Sequence, residues 1–430
     1  MRSFNRLAAM VILVALTGCG GGGGGFSVST TTVPSGIIST VAGSGTQSYS
    51  GEGAVATSAA LNLPFGVTVD SSGNFYIADY SNNRVRLVPK ATGTYFGTPM
   101  TAGNIYTIAG NGASGSSGDG TSATSAELNS PLALAIDSVG NVYIADEGNQ
   151  KIRVLAKTSG TFFGVSMTPG NIYTVAGTGA NTYSGDTGPA LNATISGPSG
   201  LGFDSSGNLY IGDQGNNRIR VVAKTTGTYF GASMTAGNIY TVAGNVTGGG
   251  FSGDGAAATS AALSHPYAVA FDSLGNLYFA DSMNNRIRVV ANVTGTHFGV
   301  TMTAGNIYTI TGTGAGGGMG SYSGDGGPAT SAALYSPNGL AFDSSGNLYI
   351  GDQQNNRVRA IANSTGTYFG VSMVAGNIYT VSGTGTSGFS GDGALATSAK
   401  LATPSGLAID SSGYLYIGDA GNERVRSVTP

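Results

Sequence analysis

"FDSSGNLYIGDQGNNRIRVV", residues 203–222, decides the fold, because close copies of it occur five more times along the chain. Its first aspartate recurs as Asp70, Asp137, Asp204, Asp272, Asp343 and Asp410, at intervals of 67, 67, 68, 71 and 67 residues. Self-similarity at a fixed period marks a solenoid, a propeller or an array. In the first copy, residues 66–70 form a short β-branched run that ends in the turn residues Ser71, Ser72 and Gly73. Residues 74–79, 83–88 and 104–109 follow as three more runs of five or six residues. Runs of this length separated by Gly, Asn, Asp and Ser predict antiparallel hairpins.

Four strands per repeat, six times over, is the arithmetic of a six-bladed β-propeller. The ends of the chain favour a closed ring. The fourth strand appears five times as NIYT-type runs, and the last repeat stops after its third strand, at Val428. The missing copy lies at the other end, in residues 37–43 (IISTVAG). A strand there that completes the last blade removes two exposed sheet edges. The expected class is therefore all-β, a six-bladed propeller over residues 37–430.

The recurring P-x-G-[VL]-x-x-D-S-S-G-N-L-Y-[IF]-[AG]-D-x-x-N-N-R-[IV]-R resembles the NHL repeat, and the added G-D-G-x-x-A-T-S-A-x-L segment is similar to bacterial NHL-repeat proteins. The resemblance covers residues 37–430 and implies the propeller fold. Such propellers serve as ligand-binding domains, as protein-interaction platforms and occasionally as lyases, so the fold alone does not choose between them.

The amino terminus reads as an export signal. A basic MRSFNR precedes the apolar run of residues 7–16, which is too short to span a membrane. LTGC at residues 16–19 resembles the lipobox of bacterial lipoproteins, which implies cleavage after residue 18 and an acyl (palmitate-type) anchor on Cys19. Cys19 is the single cysteine, so no internal disulfide can form. A glycine run and a Ser/Thr-rich stretch make residues 19–36 a tether. The expected location is extracytoplasmic, lipid-anchored to the cell envelope, with Gly20 after the cysteine resembling the outer-membrane pattern of Gram-negative lipoproteins. A monomer is expected.

Charge falls into the repeat. Of 21 acidic residues, 18 occupy repeat-equivalent places, and 12 of 18 basic residues form R-x-R pairs such as Arg84 and Arg86, with Lys151 the one departure. A charge present in every blade does a blade's work. Asp70 fits an Asx-type turn with Ser-Ser-Gly-Asn. Asp79 and its equivalents are expected to pair across a tight turn with Arg84. The loop acids Glu52, Asp119, Asp186, Asp254, Asp325 and Asp392 are expected to cap the short A-T-S-A turn that follows them. With a net charge of −3 and no basic patch, nucleic acid is excluded as a partner.

No catalytic constellation stands out. His265 precedes the fourth blade's inner strand, at a position held elsewhere by Leu63, Ser130, Gly197, Ser336 and Thr403. His297 replaces an aromatic residue. NHL-like peptidyl-amidoglycolate lyases place several histidines around a zinc, and one histidine in six blades does not support such a site. Calcium needs about six to eight converging oxygens, which a single loop acid does not supply. No cofactor is expected. Symmetry is broken where the channel opens, at Phe65, Leu132, Ser199, Tyr267, Asn338 and Ser405. Aromatic pairs such as Tyr95–Phe96 and Tyr368–Phe369 sit on the hairpin between the third and fourth strands and are expected to fold back on their own blade's outer strand. The expected function is a non-catalytic binding or scaffold module that uses the channel mouth, including His265, for a protein, peptide or glycan. The alternative is a metal-assisted lyase or lactonase-like enzyme centred near His265.

Overall fold

The computed structural model describes residues 34–245, 249–314 and 320–430. The signal, Cys19 and most of the tether lie outside the described residues. Six sheets of four main antiparallel strands, each in the order a-b-c-d, make the blades of a six-bladed propeller. In blade 1, strand a is Pro64–Val69, strand b Phe75–Asp79, strand c Arg84–Val88 and strand d Tyr106–Ala109. Blade 6 takes strands a to c from Pro404–Ile409, Leu415–Asp419 and Arg424–Val428. Its strand d is Ile37–Ala42, with Ile38 opposite Val428 and Thr40 opposite Arg426. The chain therefore closes its ring by an amino-terminal strand, as the missing fourth run predicted.

The a–b turn forms because an aspartate organises it. Ser72 and Asn74 donate backbone N–H groups to Asp70 Oδ1 at 2.9 and 3.0 Å. The Asn74 amide and the Tyr76 hydroxyl donate to Oδ2 at 2.8 and 3.1 Å. Gly73 supplies the left-handed step at φ +82°. Six apolar clusters fill the six gaps between blades. One joins Tyr143, Ile152 and Val154 of blade 2 to Leu201, Leu209 and Ile211 of blade 3, and another joins Tyr416 and Val425 of blade 6 to Val67 and Ile77 of blade 1.

Two charge assignments differ from the sequence expectation. Asp79 lies opposite Arg84 in the register, but its ion pair is with Arg86, 3.3 Å away, and both side chains are fully buried. Arg84 instead lays its guanidinium over the Tyr49 ring at 3.8 Å. The loop acids do not cap the A-T-S-A turn, which has no side-chain cap. They reach the same buried arginines: Asp186 to Arg220 at 2.6 Å, Asp254 to Arg288 at 2.8 Å, and Glu52 to Arg86 at 3.6 Å. A buried guanidinium attracts every carboxylate within reach, because leaving it unpaired costs several kcal/mol (about 3–5). The loop that carries the acid also runs along the outer edge of strand d. Ile105 donates its N–H to Ala54 O at 2.9 Å, and Thr107 donates its N–H to Glu52 Oε1 at 2.9 Å. The edge that would otherwise recruit another chain is covered.

The aromatic hairpins also fold inward, but onto strand b rather than the outer strand. Phe163, Phe230, Phe298 and Phe369 pack edge-on against Tyr143, Tyr210, Tyr278 and Tyr349, with ring centroids 5.3–6.1 Å apart.

Deleting residues 37–43 from the full chain exposes the edge of strand c in blade 6 and removes buried Ile38 and Ala42. We expect thermal denaturation to show a fall in Tm of about 10 °C or more. Equal melting of the intact and truncated chains would contradict closure by this strand.

Candidate functional site

Each strand a begins with a proline opposite the last aspartate of strand b, and a bulge follows at once. In blade 1 the register moves from Pro64↔Asp79 to Val67↔Ile77, which inserts one extra residue on strand a. The same shift occurs in all six blades. Bulges re-aim side chains, and here residues 65, 132, 199, 267, 338 and 405 are turned into the top of the central channel. There they line one cavity with the two residues that follow each of them. Phe65, Leu132, Ser199, Tyr267, Asn338 and Ser405 are thus brought together as the sequence indicated.

The channel itself is narrow. A side chain added at Gly66 would meet the carbonyl oxygen of Leu132 on the next blade at 2.5 Å, so neighbouring inner strands are almost in backbone contact. The cavity volume is about 80 Å³. That is room for a few waters, far below the few hundred Å³ of a pocket that encloses a small-molecule ligand (about 300–1,000 Å³). A ligand at this end rests on the mouth and reaches only a short way in.

A second ring frames the same mouth, and the sequence alone does not single it out. The first residue of each b–c turn is Tyr80, Glu147, Gln214, Ser282, Gln353 or Ala420. The signal is readable afterwards: this position carries five residue types in six blades while the aspartate before it never changes. Across the polar half of the mouth the side chains are satisfied by neighbouring backbone carbonyls or by one another. Ser199 donates to Pro266 O at 2.9 Å, Ser282 to Pro337 O at 2.5 Å, and Gln353 Nε2 to Ser405 Oγ at 3.1 Å. The other half is aromatic and acidic. Phe65 meets Tyr80 edge-on at 5.1 Å, and the Tyr80 hydroxyl donates to Glu147 Oε2 at 3.0 Å. Burial raises the Glu147 carboxyl above its ordinary range, with the Tyr80 hydrogen bond pulling the other way. Burial also raises the Tyr267 phenol, and the negative charge of Glu147 adds to the effect. Tyr267 sits in blade 4, so its phenol senses groups carried by blades 1 and 2.

His265 stands apart from this lining. It is exposed, adopts φ +50°, and its N–H donates to Asn217 Oδ1 of the preceding blade at 2.9 Å. The same latch occurs at every blade junction. Ser130 N–H binds Asn83, Ser336 N–H binds Asn285, and Leu63 N–H binds Glu423 across the ring closure. Glu423 therefore fills the place of a repeated asparagine. His265 supplies a backbone donor there, whatever its imidazole does. Among the described residues no group of three or more His, Cys, Asp or Glu side chains converges as a metal site.

Comparison with known proteins agrees with this geometry. The Teneurin NHL domain family matches residues 122–223 and 329–429, and the NHL repeat matches residues 61–86. The chain is 29% identical over 308 residues to Protein SUPPRESSOR OF QUENCHING 1, chloroplastic, of Arabidopsis thaliana. That alignment covers 70% of this chain and 25% of the plant protein. It is 36% identical over 101 residues to human Teneurin-4, covering 23% of this chain and 4% of that protein. The chain thus spans a quarter or less of these relatives. Among solved structures, a protein of unknown function from Bacteroides thetaiotaomicron superposes with a TM-score of 0.57 at 15% identity, covering 91% of this chain and 75% of that one. An auxiliary nutrient binding protein from the same organism gives 0.55 at 14%, covering 91% and 76%. The chain is an NHL-repeat six-bladed β-propeller.

Proposed function

We propose that the protein is a binding propeller that presents its channel mouth to a ligand outside the cytoplasm while a lipid on Cys19 tethers it to the cell envelope. The observation that carries the reading is where the six-fold repeat breaks down. Each ring at the mouth carries five residue types in six blades, with only serine recurring in one and glutamine in the other, whereas the turns, the buried ion pairs and the latches repeat. Binding residues collect on loops that a rigid scaffold holds in place. A solved propeller of this fold carries the name auxiliary nutrient binding protein; the name is that protein's, and what the two chains share is the fold. The shallow cavity favours a ligand laid across the mouth, such as a peptide, a glycan or a loop of another envelope protein. The enzyme reading near His265 gains no support, since that residue is exposed and its fixed interaction is a backbone one.

Two experiments test the proposal. A panel of peptides and oligosaccharides is screened by thermal shift against the full chain and a Phe65→Ala/Tyr267→Ala variant. A ligand at 100 times its Kd stabilises by about 2.7 kcal/mol, so it raises the wild-type Tm and leaves the variant's unchanged. A ligand that stabilises both equally would place binding elsewhere. For the tether, Cys19→Ser is expected to abolish incorporation of labelled fatty acid and to release the protein from membranes. A mature amino terminus at any residue other than 19 would contradict the anchor.

A further inference from the structure

The mouth has one charged side chain among its twelve ring positions, and among the described residues that charge has no counter-ion. Glu147 forms no ion pair among the described residues; the one side-chain hydrogen bond its carboxylate accepts there comes from Tyr80. The periodic acids are placed differently. Every loop acid and every strand-b aspartate is paired with a buried arginine, and each first aspartate accepts hydrogen bonds from its own turn, Asp410 also pairing with Lys90. Around Glu147 the walls are aromatic. Phe65 and Tyr80 are in edge contact at 5.1 Å, and Phe65 and Tyr267 line the same cavity.

A half-buried carboxylate beside aromatic faces is a poor host for anions and an incomplete host for neutral groups. A neutral group leaves the negative charge uncompensated in a partly desolvated place. An ammonium group compensates that charge and also gains from the electron-rich faces of the rings. Among the described residues no lysine or arginine forms an ion pair with Glu147, so a ligand can supply the complement.

We propose that the mouth recognises ligands through a positively charged amino group, held by Glu147 as counter-charge and enclosed by Phe65, Tyr80 and Tyr267. The inference rests on the mouth being the binding surface and names the chemical class it selects. Amines of this kind include a peptide's terminal amine, a lysine side chain and an amino sugar. The shared chemistry is the cation. Affinity is expected to fall as acidification protonates Glu147, starting at a higher pH than for an ordinary glutamate because burial raises its pKa.

The test is calorimetric titration of the full chain with benzylammonium chloride, benzyl alcohol and sodium benzoate at pH 7.5 and low salt. We expect benzylammonium to bind at least about tenfold more tightly than benzyl alcohol, and benzoate not to bind. A ratio of ten corresponds to about 1.4 kcal/mol. Glu147→Gln should remove the preference and retain the alcohol's affinity, and Glu147→Met should remove the preference as well. Glu147→Gln is not expected to lower Tm, since it keeps an acceptor for the Tyr80 hydroxyl and removes a half-buried charge. Equal binding of amine and alcohol, or an unchanged preference in Glu147→Gln, would overturn the cation reading while leaving the mouth as a binding surface. No binding of any probe to the wild type would overturn it too, and the Phe65→Ala/Tyr267→Ala screen decides separately whether the mouth binds at all.

Discussion

A guanidinium group buried without solvent in every blade is the constraint on which the rest of the structure depends. Arg86, Arg153, Arg220, Arg288, Arg359 and Arg426 are all fully buried. Each meets an inner carboxylate at the end of strand b and an outer one from the loop that enters the blade, as Arg288 does with Asp281 at 3.2 Å and Asp254 at 2.8 Å. It also donates to a loop carbonyl, Ser252 O at 3.0 Å. One planar fork thus binds strand b, strand c and the loop that covers strand d. The inner acids show how dry the site is. Burial pushes Asp281 up to about 6, although Arg288, Asn284 and the Ser264 N–H all favour its ionised form.

This requirement explains the division of labour along the chain. A buried cation needs its partners in every blade, so the residues around it repeat almost without change. The b–c turn is held from below by the inner aspartate, which accepts the Asn82 amide and the Asn62 N–H. The first residue of that turn and the bulged residue of strand a take no part in the buried arginine network. Both positions change between blades, and they face the same opening. The scaffold fixes where the two rings stand without dictating what they are, which is the arrangement a binding surface requires.

Most of the fold was legible in the sequence because it rests on local signals. The period of about 67 residues, the turn residues and the displaced strand at residues 37–43 each follow from short-range chemistry. The pairing of charges was not, for a physical reason. The sequence places Asp79 beside Arg84, and the register does set them opposite one another. The pleat decides otherwise: Arg86 reaches back to Asp79, and Arg84 points out to stack on Tyr49. The outer acids find an arginine 34 residues away in all six blades, a distance at which a nearby turn looks like the simpler partner. At the mouth, the bulged ring could be read from its proline, whereas Tyr80 and Glu147 became visible as site residues only once the b–c turns were seen to converge on the channel.

The measurement that tests the account most directly compares two arginines of one strand, Arg288 and Arg286, each replaced by methionine, by unfolding in denaturant. Arg288→Met leaves Asp281 buried without its counter-charge and frees the covering loop, so a loss of about 3–5 kcal/mol is predicted. Arg286 lies over Phe251 at 3.6 Å and is partly exposed, so its loss should cost only about 1–2 kcal/mol. Equal losses in the two variants, or a neutral Arg288→Met, would contradict the claim that the buried arginine holds each blade together.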